Sequence, residues 1–558
     1  MRVRASKRIP EVLGLLLVVC VIPRCLAAGS LEIAHGYLRS QADFDRGTAH
    51  LFLHNTGDSP VRIESARMAA VGADTQPDWQ ALAASEQPSA EEAEAACLWW
   101  LAVPNPVPAG GFCDVAVRLT QPPRRRQRLD VTCSGGATIR HEFTRVNDGL
   151  SLAFVGFSPS LDTVYIYAGN LTPAPVAIRR VWIDGQDVGN RARILWPQVA
   201  PQSETCIVVP LRRKLEPGTV VFVKVDGDTD TAVCAGLVRA FSLFPITWMD
   251  GSLPEGLEGE DDAAVPYRPG TVPKEGLRGI ENIMRCPAHA HGTPGQAARQ
   301  FIRLYSRLLR DEPRIPSLLY VCRWEKETGY FDFGELGDLV RVMPLAKSAS
   351  YKRQPLEHYE QWLMALATRA AAPRPVHAEV PIRFADSCSW TRSCTPQEVE
   401  ALVYLALSRG AKGLSYGEPR DGLSEAAQQA LRAVTRQVVS MRPYLRFAEY
   451  MPLGRTDADG VEAATLLAGD RAVVVLVINH RFNDFSEAEV LRCSPRENVT
   501  TTIALPPGLS VRAVQDVAVP ARPVEWRQAG SQLLLRTDRV EIVRPYLVLL
   551  GTGEEGKP

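Results

Sequence analysis

The chain has 558 residues, too many for one hydrophobic core, so three or four domains are expected. Its 63 basic and 63 acidic residues cancel, and charged residues make up 23% of the sequence, so no nucleic-acid partner held by bulk charge is expected. Arg124-Arg-Arg126 is a small basic run that fits a solvated loop.

Residues 1–28 have the form of a secretory signal. Arg2, Arg4, Lys7 and Arg8 precede an apolar run from Val12 to Ile22, which is too short to span a bilayer. Cys25-Leu-Ala27 and Leu26-Ala-Ala28 both fit a cleavage site. The expected location is therefore secreted, periplasmic or on the cell surface. No later run is long and apolar enough for a stable membrane span. Export permits disulfides. Cys388 with Cys394, a pair among Cys97, Cys113 and Cys133, and Cys206 with Cys234 are the candidates, and the pairing stays open. No CxxC pair or His/Cys cluster has zinc spacing, so neither metal nor cofactor is expected.

Residues 29–147 read as a β-sandwich. His50 to Ile63 is strand, turn, strand, while Asp114 to Leu119 and Arg128 to Thr132 alternate with period two. The Ala/Glu-rich stretch from Asp74 to Ala96 is expected to be a long loop with a helical turn. Residues 148–240 repeat the pattern. Asn55-Thr-Gly-Asp-Ser-Pro60 matches Asn170-Leu-Thr-Pro-Ala-Pro175 in spacing, and Val107-Pro-Ala-Gly110 echoes Leu215-Glu-Pro-Gly218. Two consecutive immunoglobulin-like sandwiches are the economical expectation.

From 241 to 445 short apolar strands alternate with amphipathic helices, a pattern that calls for parallel strands and crossover helices. Six strands are expected. They lie at Phe244–Trp248, Gly279–Met284, Ser317–Cys322, Asp338–Met343, Pro375–Pro381 and Ala411–Tyr416. The best-marked helix begins at Thr395, with Pro396 at its first position and Glu398 completing a capping box. After 446 the pattern returns to β, with Arg471 to Asn479 and Tyr546 to Leu550 as the clearest strands of a terminal sandwich.

Four segments carry a family likeness. These are Arg310-Asp-Glu-Pro-Arg-Ile-Pro316, Tyr330 to Asp338 followed by Val342-Met-Pro344, Pro375-Val-His-Ala378, and Glu400 to Gly413. In order and spacing they resemble the C-terminal half of a glycoside-hydrolase-type (β/α)8 barrel with flanking β-sandwich domains. The resemblance implies a TIM-barrel-like domain, complete or truncated, that handles a glycan or polysaccharide. It covers about half the chain and departs from the family in one place. Where related barrels carry a carboxylate before the Arg310 turn, this chain has Met284-Arg-Cys-Pro-Ala-His-Ala-His291.

Glycoside hydrolysis needs two carboxyl groups facing each other across the sugar, at the C-terminal ends of barrel strands. In Val376 to Val380 the apolar residues alternate, so His377 and Glu379 are expected to face the barrel interior. Glu379 is the candidate base or nucleophile. Glu325, just past the strand ending at Cys322, is the candidate acid. His289, His291, Trp324, His377, Trp390, Tyr416 and Glu418 are the candidate substrate contacts, because hydroxyls need polar partners and sugar C–H faces stack on aromatic rings. Three functions remain open: a secreted glycan-engaging pseudoenzyme with weak or lost hydrolysis, an active glycoside hydrolase, and a non-catalytic surface scaffold.

Overall fold

A computed structural model describes residues 30–41, 46–70, 78–80, 97–120, 122–123, 126–248, 264–266, 277–281, 294–320, 333–342, 364–365, 367–380, 382–386, 389–417, 423–483 and 490–552. The molecule is multidomain and β-rich, with several antiparallel sheets and one parallel half-barrel sheet. The segment from Asp74 to Ala96 lies outside the described residues apart from Asp78–Gln80, which pairs as an edge strand.

Residues 31–143 form two antiparallel sheets. One has the order Leu31–Gln41, Arg46–Asn55, Phe112–Leu119, Cys97–Val103. The other runs Asp78–Gln80, Ile63–Ala70, Gln127–Cys133, Thr138–Phe143. Period-two alternation turns Leu51, Leu53, Val115 and Val117 of the first toward Leu129 and Val131 of the second, and these share one core. Residues 150–239 repeat this order. Leu150–Phe157, Thr163–Asn170, Glu204–Pro210 and Arg193–Ile194 make one sheet, and Gln186–Asp187, Val176–Ile183, Val220–Gly227 and Val233–Arg239 the other. A third pair of sheets follows residue 448, with Val461–Ala468, Ala472–Asn479 and Val543–Thr552 at the centre of its larger sheet.

One buried asparagine recurs in all three units. Asn55, Asn170 and Asn479 each end the second long strand of their unit and are at most 1% exposed. Each side-chain oxygen accepts from the backbone N–H two residues on, at Gly57 (3.0 Å), Thr172 (2.8 Å) and Arg481 (3.1 Å). Each amide also donates to a carbonyl shortly before the next strand in the sheet, at Val107 (3.1 Å), Val199 (3.0 Å) and Glu541 (2.9 Å). An Asx turn thus ends a strand and ties it to its neighbour. The Asn55/Asn170 echo is therefore a structural repeat. The glycine echo is not. Gly110 leads into Phe112–Leu119, whose counterpart is Glu204–Pro210, whereas Gly218 leads into Val220–Gly227. Both glycines have positive φ (68° and 81°), so one turn chemistry serves two different corners.

The central sheet has seven parallel strands among the described residues. The order across it is Ile246–Trp248, Leu414–Tyr416, Val376–Val380, Leu339–Val342, Ser317–Tyr320, Leu277–Glu281, Ala264–Pro266. Its first strand pairs with its last, and the rest follow in chain order, which is ring order. Among the described residues the ring is open at one seam, between Ile246–Trp248 and Ala264–Pro266, which do not pair. Six strands were expected. The seventh, Ala264–Pro266, is only three residues long.

Helices cover the outer face. Pro396–Leu407 carries the expected capping box, with Thr395 and Glu398 bonded reciprocally. Glu425–Leu445 is capped by Ser424. Val340, Val342, Val376, Ala378, Val380, Leu414 and Tyr416 pack with Leu402, Val403, Leu431 and Val438 of these helices in one core.

The first two units meet the N-terminal end of the parallel strands. Asp338, just ahead of Leu339–Val342, accepts from the Ser317 N–H (2.8 Å) and hydroxyl (2.9 Å), from the Tyr305 hydroxyl (3.1 Å), and from Arg239 of the second unit. Glu335 reaches His50 and Arg118 of the first unit, each at 3.4 Å, and His50 also meets Asp114 at 3.0 Å. These two charges hold the carboxyl of Glu335 far below its ordinary value against the cost of burial, while Asp114 and Glu335 raise His50 to about 9. Tyr167 of the second unit donates toward the carbonyls of Phe447 (2.8 Å) and Leu467 (2.6 Å), so the second and third units also touch directly.

Cys97, Cys113, Cys133, Cys206, Cys234, Cys394 and Cys493 are free thiols. The bridges expected within 97–133 and between Cys206 and Cys234 are absent. Cys206 packs in the core shared with the barrel side, Cys234 in the core between the two sheets of its own unit. Cys388 lies outside the described residues.

Candidate functional site

The interior face of the parallel sheet is layered. Leu318 and Leu339 are neighbours in register and pack with Leu243 as an apolar floor near the N-terminal end. Arg341 and His377 are neighbours one layer up. Glu379, Ser415 and Thr247 are paired across three adjacent strands in the next layer. A polar interior thus stands on an apolar plug, toward the end where parallel barrels place their chemistry.

Glu379 meets Arg341 with 3.0 Å between Oε2 and Nη2, and both side chains are about 3% exposed. A charge pair this deep persists only because each partner compensates the other's lost hydration. His377 is fully buried. Burial and the Arg341 charge push its pKa down to about 3, opposed only in part by the Leu414 backbone, so the imidazole is neutral at ordinary pH. Neither ring nitrogen of His377 nor the Ser415 hydroxyl meets a partner at hydrogen-bond geometry among the described residues. Buried polar atoms are usually satisfied; these two join others in the fold, such as the Thr48 and Thr501 hydroxyls, that find no partner among the described residues. Together the group holds a fixed anion, a fixed cation, a neutral donor–acceptor ring and a hydroxyl.

Of the residues singled out in the sequence, His377 and Glu379 occupy the interior face as the alternation predicts. Tyr416 does not. Its hydroxyl lies 2.8 Å from Thr435 of the outer helix and its ring meets Trp248 edge-on, so it belongs to the helix layer. Its neighbour Ser415 faces inward instead. Trp390 lies on the hairpin formed by Arg383–Asp386 and Ser389–Ser393, opposite Ala385. Glu325, Trp324, His289, His291 and Glu418 lie outside the described residues. Arg341 went unremarked in the sequence, although a single Arg between Val340 and Val342 in an apolar strand is itself the mark of a buried charge.

No protein-family model matches the chain, and no curated protein matches it. Among solved structures, an α-L-fucosidase from Bacteroides thetaiotaomicron aligns at 8% identity and TM-score 0.27, over 47% of this chain and 54% of its own. An Anoxybacillus α-amylase aligns at 12% identity and TM-score 0.29, over 46% and 56%. A Paenibacillus cycloisomaltooligosaccharide glucanotransferase aligns at 9% identity and TM-score 0.33, over 92% and 99%. The chain spans about half the length of the fucosidase and the amylase. This is a loose glycoside-hydrolase-like resemblance in architecture, and at such TM-scores it carries no argument about chemistry.

Proposed function

We propose that this is an exported protein that engages a glycan at the C-terminal ends of its half-barrel strands, in a TIM-barrel-like domain flanked by immunoglobulin-like sandwiches, with little or no hydrolysis. The carrying observation is the buried Arg341–Glu379 pair beside the unpartnered His377 and Ser415. Sugar hydroxyls need donors and acceptors at short spacing, and this group supplies both. Cleavage needs two opposed carboxyl groups free to act on the glycosidic bond, whereas Glu379 holds one oxygen against Arg341. The scaffold alternative draws on a different observation, the near-complete burial of the whole interior row.

Glycan-array binding and a glycoside turnover panel on the full chain, with Glu379→Gln and Glu325→Gln, separate the three functions. The expected result is saccharide binding by the parent, no turnover, and binding weakened at least about tenfold by Glu379→Gln. Turnover that falls at least about 100-fold in both variants would make the protein a hydrolase. Absence of both binding and turnover would leave the scaffold.

A further inference from the structure

The two N-terminal units and the turn that leads into Val376–Val380 enclose a cavity of about 370 Å³. It lies at the opposite end of that strand from Glu379. Its size falls within the roughly 300–1,000 Å³ of small-molecule sites, which concentrate at junctions between domains. Hydrogen bonds hold the junction in place. The Val155 N–H donates to the carbonyl of Pro373 (3.2 Å), and Arg39 donates to the carbonyls of Ala372 (3.2 Å) and Arg369.

Charge selects the ligand class. The walls carry two guanidinium groups, Arg39 and Arg369, and one carboxylate, Asp148. The carboxylate is already paired: it accepts from Arg145 (2.8 Å) and meets His35 (2.9 Å). Arg39 is bonded only to neutral acceptors. Among the described residues it meets two carbonyls and no carboxylate, so its positive charge stands. A guanidinium has five N–H donors, and those two bonds leave three. The cavity is therefore cationic on balance, with donors to spare. An anion entering it exchanges hydration for a counter-charge and charge-assisted hydrogen bonds, whereas a cation meets repulsion. The planar fork of arginine matches the two oxygens of a carboxylate. Tyr37 adds a neutral donor, because burial pushes its phenol well up against the opposing Arg39 charge and keeps it protonated. Leu150 and Leu152 supply apolar surface for the body of a ligand.

We propose that this cavity binds a small carboxylate-bearing molecule, with its acid group at Arg39 and its body against the leucines. The acid could be carried by a sugar or by a non-sugar ring, and the test separates the two. Calorimetry on the full chain uses glucuronate and galacturonate as acidic sugars, benzoate as a non-sugar acid, and glucose, benzyl alcohol and glucosamine as controls. At least one acid is expected to bind about tenfold or more tighter than its neutral counterpart and than glucosamine, and to weaken as salt is added. A preference for the uronates makes the ligand an acidic sugar, and a preference for benzoate makes it a non-carbohydrate acid; either supports the proposal. Arg39→Gln should weaken binding at least about tenfold, and Arg39→Lys, which keeps the charge, by less. Because Arg39 also bonds across the junction, Arg369→Gln and Tyr37→Phe serve as milder variants, each expected to weaken binding about threefold. Arg369 is exposed, so its replacement keeps the fold, as thermal unfolding will verify. The proposal is overturned if no acid binds, or if glucose or benzyl alcohol binds as tightly as the acids. It is also overturned if binding survives both Arg39→Gln and Arg369→Gln.

Discussion

The Asp338 network beneath the parallel sheet and the polar row on its interior face are both buried and are differently finished. At the N-terminal end, both oxygens of Asp338 are bonded, one by Tyr305 and the other by Arg239 and Ser317. In the interior, Arg341 and Glu379 answer each other, but His377 and Ser415 beside them find no hydrogen-bond partner among the described residues. A buried polar group satisfied within the fold holds parts together. One left unsatisfied costs stability, and a bound partner can repay that cost. The difference separates a foundation from a site.

The strongest way to break this contrast is Asp338→Ala, which strips Arg239 of its carboxylate and leaves it only the carbonyls of Pro313 and Ile315. Urea unfolding should show a loss of roughly 3–5 kcal/mol. A loss below about 1 kcal/mol would mean that the foundation does not depend on this network. A smaller effect is expected from pH at the joint between the second and third units. There Glu204 lies near the buried Lys412–Glu449 pair (2.8 Å), and burial together with the Glu449 charge raises it to about 8, Lys412 opposing. A folded-state value above the ordinary 4.5 binds extra protons in the native state, so stability is full below about 4.5 and lost as pH rises through 8. His50, raised from 6.5 to about 9, acts with the same sign in the higher window. Glu204→Gln should flatten the decline in melting temperature between pH 5 and 8; an unchanged slope would assign it to other groups. The smallest effect on stability is expected from His377→Leu, within about 1 kcal/mol of the parent, because only a weak contact with the Leu414 backbone is lost. It should nonetheless abolish saccharide binding. If it destabilises as much as Asp338→Ala, the contrast disappears.

The inward orientation of His377 and Glu379 was legible because Val376, Ala378 and Val380 alternate with them, and both faces of this strand are buried. Leu414-Ser-Tyr416 carried the same signal. Tyr416 was nevertheless assigned to sugar stacking by its ring chemistry, where the alternation pointed to Ser415. The capping box was legible because its partners are three residues apart. The links of Arg239 to Asp338 and of His50 to Glu335 were not, since they join residues 99 and 285 positions apart and no local period records them. The third copy of the strand-ending asparagine was hidden for a related reason: no Pro-led strand start follows Asn479 as it follows Asn55 and Asn170.

Where the half-barrel begins and ends, the chain closes on itself. Arg442 donates to the carbonyl of Phe244 (3.1 Å), and Phe447 stacks on Tyr165 with ring centres 4.2 Å apart. Seen from the flanking modules, some two hundred residues form an excursion that leaves and rejoins a continuous pedestal at almost the same spot. Whatever happens at the far rim of that excursion can be altered by mutation or by inheritance without relaying the masonry beneath it.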